Sequence, residues 1–141
     1  LVKATVAQHR RAMRQGLRSL NESIPDPYAR LVAYSRYWAD CIQESNPPIC
    51  ICALLAADLP SIPAEVAEEV TGHFNDLQTW LTQTMTEGET KGVMRLVEPP
   101  AGEAAMFMAS IHGAMLSARA TANALLFWQI AKLSTDRLKN N

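Results

Sequence analysis

Hydrophobic residues recur at spacings of three and four along most of the chain, which is the period of an amphipathic α-helix. No stretch shows convincing alternation at every second position, the pattern of a half-buried strand. Clusters of proline and glycine interrupt the helical pattern and divide it into six segments. The pattern therefore predicts an all-α domain with six helices, at residues 1–21, 27–44, 49–59, 63–85, 103–121 and 123–140.

Local signals mark the ends of several of these helices. Asp26 is a predicted N-cap with Pro27 at the first helical position, and Asn123 is the predicted N-cap of the closing helix. Residues 46–48, with the sequence Asn-Pro-Pro, break the chain before the third helix. The segment 86–102 contains three glycines and two prolines, so we expect a loop there.

The helix at 103–121 is apolar on two opposite sides. One side carries Ala104, Met108, Ile111, Met115 and Ala118, and the opposite side carries Met106, Ala109, Gly113, Leu116 and Ala120. An ordinary surface helix buries one stripe, and a chain of this length has one core to offer. The second stripe contains small residues that suit close approach of another helix, so it favours contact with a second subunit. A fully buried central helix of a monomer is the alternative.

The composition, 48% hydrophobic over 141 residues, fits one globular domain. No apolar run approaches the roughly 20 residues that span a bilayer, and no signal-peptide pattern opens the chain. We therefore expect a soluble, cytoplasmic protein without membrane contact. Because the chain starts at Leu1, inside a helical pattern, we expect it to be part of something longer.

The charge distribution is uneven. Residues 1–20 carry five basic and no acidic side chains, although the net charge of the chain is −1. A basic helix on an acidic body is suited to lie near an anion such as nucleic acid. A solvated basic face is the plainer interpretation.

The sequence offers little for catalysis. A Gly-rich phosphate loop, a nucleophile elbow and the metalloprotease helix motif are all missing. Glu69 and His73, four residues apart, come nearest to a di-iron pattern, but Glu69 lies off the apolar stripe. We expect no enzymatic activity, no cofactor and no bound metal, and we interpret His73 first as a core histidine.

Three cysteines, Cys41, Cys50 and Cys52, form an odd set, and the last two are too close in sequence for an easy structural disulfide. Reduced thiols are the expectation. Cysteine in an apolar helix is commonly a small buried hydrophobe. A metal sensor or thiol-based electrophile sensor is the alternative, although nothing in the sequence places a base or a cation beside these thiols.

Two motifs carry a resemblance to a known family. Residues 50–58, Cys-Ile-Cys-Ala-Leu-Leu-Ala-Ala-Asp, are similar to a Cys-x-x-Gly/Ala-x-Leu-Ala-Ala-Glu pattern in one branch of the TetR-type transcriptional regulators. Residues 111–119, Ile-His-Gly-Ala-Met-Leu-Ser-Ala-Arg, resemble the first dimerisation helix of the same regulators. Trp80 and Leu81, before Gly88 and Gly92, also fit that branch, whereas Ala53 and Asp58 depart from the commoner Gly and Glu.

The resemblance covers nearly the whole chain and implies the C-terminal regulatory domain of such a regulator. Residues 1–20 then form the helix that leads to an N-terminal helix-turn-helix domain, which is not in this chain and binds operator DNA. Residues 21–141 form the effector-binding and dimerisation domain. The last two helices pair with their copies in a homodimer. The implied interface residues are Met106, Ala109, Gly113, Leu116, Ala120, Phe127 and Ile130.

The leading hypothesis is a repressor controlled by a small, largely apolar effector that binds among the second to fifth helices. The candidate contacts combine aromatic and apolar surface with a thiol and an imidazole. They are Tyr34, Trp38, Cys41, His73, Phe74, Leu77 and Met108. Two alternatives remain open, a helical dimerisation module with a filled core and no ligand, and the thiol-based sensor.

Overall fold

The computed structural model describes residues 1–44 and 50–141. Over these residues the chain forms six α-helices and one short 3₁₀ helix, Leu59–Ser61, and the all-α prediction is confirmed. The helices are α1 (Val2–Ser23), α2 (Pro27–Gln43), α3 (Ile51–Ala56), α4 (Ala64–Thr90), α5 (Pro100–Ala120) and α6 (Ala124–Asp136). The predicted break at 46–48 and the predicted start of the third helix at Ile49 lie outside the described residues.

The fourth helix is longer than its sequence pattern predicts. It continues to Thr90, five residues into the segment expected to be a loop. Gly88 is accommodated inside this helix because its bare Cα faces the buried side chain of Met94, and a Cβ there would stand 2.6 Å from the Met94 sulfur. The glycine therefore permits a close contact and does not end the helix.

The sixth helix ends earlier than predicted, at Asp136 instead of near 140. The following residues extend alongside the segment after α4, where the Arg95 N–H donates to the Leu138 carbonyl at 2.9 Å. Met94 and Lys139 form an isolated antiparallel bridge at the same place. Leu138 is still buried, so its predicted inward position is confirmed although it is not helical.

The core lies where α5 packs between α4 and α6, and α2 covers α4 and α6 from the other side. The first helix lies along α4. Its Asn21 accepts a hydrogen bond from Trp80 Nε1 at 2.9 Å, and its Arg10 pairs with Asp76 at 2.8 Å. These contacts hold the middle and C-terminal turns of α1 against α4.

The basic residues of α1 are partly neutralised by α4. Lys3 lies 3.9 Å from Glu65, and Arg14 lies 3.9 Å from the Asp76 carboxylate that also binds Arg10. Three of the five basic side chains predicted to form a free basic face therefore point toward carboxylates of the same chain. Their pairing gives these residues a role in packing α1 onto α4.

The two apolar sides of α5 have different environments. Ala104, Ile111, Met115 and Ala118 are buried and Met108 is half-buried, so the first stripe faces the core. The opposite stripe is exposed along its whole length. It consists of Met106, Ala109, Gly113, Leu116 and Ala120, which we call the outer face of α5.

Within the described residues, no helix combines the length and the hydropathy that crossing a membrane requires.

Candidate functional site

A cavity of about 230 Å³ lies between α1 and α2 and is partly open to solvent. Its wall on α1 includes Ala12 and Gly16, small residues that leave room where larger ones would fill it. A Cβ on Gly16 would meet no atom within 4 Å. The lining residues are His9, Ala12, Met13, Gly16, Leu17, Leu20, Tyr34, Tyr37 and Trp38.

A few polar groups stand on this apolar wall. Trp38 is buried, and its indole Nε1 has no hydrogen-bond partner among the residues described. Burial, with a smaller contribution from the nearby Cys50, raises the pKa of Tyr34, so its phenol stays protonated. A buried indole N–H and two phenols are donors that can orient a ligand in a mostly apolar site.

The structure brings some of the predicted ligand contacts to this cavity and places others elsewhere. Tyr34 and Trp38 line it. Cys41, His73, Phe74, Leu77 and Met108 are not among its lining residues. The cavity lies against α1 instead of among the second to fifth helices, and the sequence interpretation did not use His9, Met13 or Leu17 as ligand contacts.

Beside the cavity, two thiols and two imidazoles meet at one point. Cys50 Sγ lies 3.6 Å from Nε2 of His9 and 3.6 Å from Nε2 of His73. Cys52 joins them, and one ligand atom from each of the four residues lies within 4.8 Å of the others. We call these four residues the thiol–imidazole cluster. His9 belongs to both the cluster and the cavity wall, so it connects the two.

The surroundings favour a charge on one sulfur of the pair. Hydrogen bonds from Cys52 and then from the imidazoles of His112, His73 and His9 lower the pKa of Cys50, against the opposing effect of burial. The hydrogen bond to Cys50, together with burial, raises the pKa of Cys52. Cys50 is therefore the acidic thiol and Cys52 its proton-bearing partner.

This arrangement corrects one sequence expectation. The sequence placed no base beside the cysteines, yet His9 comes from α1 and His73 from α4 to flank Cys50. His73 is buried as predicted, but its Nδ1 has no partner among the described residues, so it is not a fully satisfied core histidine. A histidine on the apolar stripe of the first helix was the available signal for His9.

The predicted interface residues fall into two groups. The outer face of α5 is exposed, and on α6 the side chain of Leu133 is 69% exposed. Ile130 is half-buried. Phe127 is completely buried, because it points into the core of its own chain, and so it belongs to the fold and not to the surface.

Comparison with known proteins identifies relatives of this fold. No family model matches the sequence, and a search of curated proteins gives no significant match. Among solved structures, a TetR-family transcriptional regulator from Agrobacterium tumefaciens is 39% identical, with a TM-score of 0.95 over 98% of this chain and 73% of that one. Reduced NemR of E. coli, at 16% identity, gives a TM-score of 0.84 over 99% of this chain and 73% of its own. The regulatory protein TetR of Rhodobacter sphaeroides, also at 16% identity, gives a TM-score of 0.86 over 97% of this chain and 74% of its own.

The all-α fold and its neighbours define the class as helical transcription regulators. The identity to the Agrobacterium protein then decides the family, and the chain belongs to the TetR family of transcriptional regulators.

Proposed function

We propose that this chain is the effector-binding and dimerisation domain of a TetR-family repressor controlled by a small, largely apolar molecule. Residues 1–20 connect it to an N-terminal helix-turn-helix domain that binds operator DNA, and residues 21–141 form the regulatory body. Regulators of this family bind DNA and act as dimers. Such a protein works in the cytoplasm, without an enzymatic step.

The cavity between α1 and α2 is the observation that carries this proposal. Its wall is mostly apolar, and the indole N–H of Trp38 beside it has no hydrogen-bond partner in the described ranges 1–44 and 50–141. Its volume of about 230 Å³ is below the roughly 300–1,000 Å³ of drug-sized sites, which indicates a small effector. A mostly apolar cavity of this size supports a ligand site over a filled core.

The position of the cavity suits control of the first helix. His9, Met13 and Leu17 project from α1 into its wall, so a ligand there contacts the helix that leads toward the DNA-binding domain. A ligand that prefers one position of α1 shifts the protein toward that position by its differential affinity. A coupling of about 1–3 kcal/mol is typical for such control.

The outer face of α5 supports the dimer. Met106 and Leu116 are 45% and 44% exposed, and the small residues between them allow a second helix to approach closely. In a two-fold dimer the same patch meets its own copy. Two helices per subunit can supply the area of about 2,000 Å² or more that permanent dimers bury.

A thermal-shift screen of small apolar compounds tests the effector proposal. A compound that binds only the folded chain raises its melting temperature. At a compound concentration of 100 times the dissociation constant, the free energy of unfolding increases by about 2.7 kcal/mol. Gly16→Leu places a side chain in the cavity and should abolish the shift. Gln15→Leu adds the same side chain at an exposed neighbouring position of α1 and should keep it. Equal shifts in both variants would contradict binding in this cavity.

A thiol-based sensor is the second candidate function, supported by the two imidazoles that flank Cys50. Limited alkylation with N-ethylmaleimide, followed by mass mapping, separates it from the first. A sensor predicts that Cys50 reacts before Cys41, although Cys41 is the more exposed thiol. Modification of Cys41 with Cys50 left intact would contradict a sensing role.

A further inference from the structure

Four side chains with metal-binding atoms converge on one point from three parts of the fold. His9 comes from α1, Cys50 and Cys52 from the start of α3, and His73 from α4. Both cysteines and His73 are buried, and His9 is half-buried. We propose that this thiol–imidazole cluster binds one zinc ion through two sulfurs and two imidazole nitrogens.

The distances suit a tetrahedral site. Zinc binds cysteine sulfur at about 2.3 Å and histidine nitrogen at about 2.0–2.1 Å, so a sulfur and a nitrogen of one tetrahedron lie about 3.6 Å apart. Cys50 Sγ lies 3.6 Å from the Nε2 atoms of both His9 and His73. All four ligand atoms lie within 4.8 Å of one another, so the longer separations need to close by about 1 Å, which side-chain rotation can supply.

The charge balance also favours this ion. When zinc binds, each thiol releases its proton to solvent and each imidazole binds through an unprotonated nitrogen. Two thiolates then neutralise the two positive charges of the metal, so the buried centre carries no net charge. A neutral centre avoids the large cost of burying an unpaired ion. Two sulfur and two nitrogen ligands in a tetrahedral arrangement are typical of zinc sites.

Two features besides the ligand distances suit a bound ion. His73 is 1% exposed, and its ring packs against the rings of His9 and Phe74 at centroid distances of 5.3 and 5.7 Å, so the imidazole is held at the cluster. His9 lines the partly open cavity, which gives an ion a path from solvent to the cluster.

A metal at this point would cross-link α1 to α3 and α4. The inference goes beyond the proposed function, because zinc binding requires neither the apolar effector nor DNA. It replaces the sequence expectation that the chain binds no metal. The sequence suggested that His73 is a core histidine and that the cysteines are small buried hydrophobes, because they lie on apolar helix segments.

Cobalt titration of the reduced, metal-free chain tests the proposal. Co²⁺ replaces zinc in such sites, and its tetrahedral thiolate complexes absorb visible light and show sulfur-to-metal charge transfer. We expect these bands to saturate at about one Co²⁺ per chain and to disappear when zinc is added. A spectrum of octahedral, water-bound cobalt throughout the titration would overturn the proposal.

Single substitutions identify which side chains bind the metal. Cys50→Ser and His9→Gln should each weaken binding at least about 100-fold, because loss of even a supporting group around a metal costs about 10–100-fold. Cys41→Ser removes the thiol outside the cluster and should leave the spectrum unchanged. Circular dichroism checks that each variant folds. If Cys50→Ser does not fold, His9→Gln still tests whether the cluster binds the metal, because His9 is only half-buried and its replacement disturbs the core less. Unchanged cobalt binding in His9→Gln, or its loss in Cys41→Ser, would refute the assignment.

Discussion

Arg10 of α1 reaches across Gly72 of α4 to bind Asp76, with its Nε 2.8 Å from the carboxylate Oδ2. The guanidinium also lies 3.5 Å from Glu69, so one side chain connects α1 to two turns of α4. Both Arg10 and Asp76 are about one quarter exposed, which limits screening by water. This pair is therefore a principal polar contact that holds α1 in place.

We predict that Arg10→Met lowers the free energy of unfolding by about 1 kcal/mol, because Asp76 loses its closest partner. Urea denaturation of the variant measures this change. Arg11→Met is the matched control, since among the described residues the exposed Arg11 side chain bonds only the Gln8 side chain. A double-mutant cycle with Asp76→Asn isolates the pair. A coupling energy near zero would contradict its role.

A charge on the outer face of α5 should disrupt the dimer. Gly113→Glu and Leu116→Glu each place a carboxylate on this exposed apolar face, where it would face its own copy across the two-fold axis. Sedimentation velocity should show monomers or loss of soluble protein. Asn75→Glu adds the same charge at an exposed position of α4 and should leave a dimer. Intact dimers in both α5 variants would exclude this face as the interface.

The turn between α5 and α6 contains a strained residue. Ala122 has a φ of 51°, in the left-handed region, and the following Asn123 N–H donates to the Ala118 carbonyl at 2.9 Å. Glycine adopts this conformation without the steric cost that alanine has. Ala122→Gly should therefore raise the free energy of unfolding by about 1 kcal/mol.

The control for this prediction is Ala105→Gly, an exposed position within α5. Glycine inside a helix should lower the free energy of unfolding by about 1 kcal/mol, a change opposite in sign to that expected for Ala122→Gly. Thermal denaturation of both variants at one protein concentration compares them directly. Destabilisation by Ala122→Gly would show that the left-handed turn is not strained as described.

Acid should weaken the contact between α2 and α4. Hydrogen bonds from Lys91 and Arg30 lower the pKa of Glu87, and Arg30 Nη1 lies 2.7 Å from its carboxylate. Because the folded-state pKa is lowered, this contribution to stability is present above the unfolded-state pKa and is lost as the pH falls through the folded-state value. The effect should be modest, since the Glu87 side chain is 36% exposed.

Glu87→Gln tests this pH dependence. We expect the variant to be less stable than the parent at about pH 6, and we expect the difference to shrink as the pH falls through the folded-state pKa of Glu87, where its carboxylate becomes protonated. Urea denaturation at several pH values measures it. A difference that stays constant across this range would indicate that the carboxylate charge does not contribute.

Helical periodicity predicted the number, order and inward faces of the helices, because each face depends on residues close in sequence. The errors came from long-range contacts. The sequence pattern predicted a helix break at Gly88, but Met94 packs on this glycine and the helix continues. The pattern also predicted that Leu138 is helical, but its carbonyl accepts a hydrogen bond from the Arg95 N–H outside the helix. Such contacts join residues that the local pattern treats as independent.

The candidate site was predictable only in part for the same reason. Tyr34 and Trp38, one turn apart on α2, line the cavity as expected. The opposite wall comes from α1, and the cluster joins His9 to residues more than 40 positions away. Sequence spacing does not indicate that three helices meet there, so His9 was missed.

Native mass spectrometry of the chain, with the compound that gives the largest thermal shift, tests dimerisation and effector binding in one experiment. It reports the number of subunits and the number of bound molecules together. We predict a dimer that carries up to two molecules of the compound, and a Gly16→Leu dimer that carries none. A monomer, or equal ligand occupancy in Gly16→Leu, would contradict it.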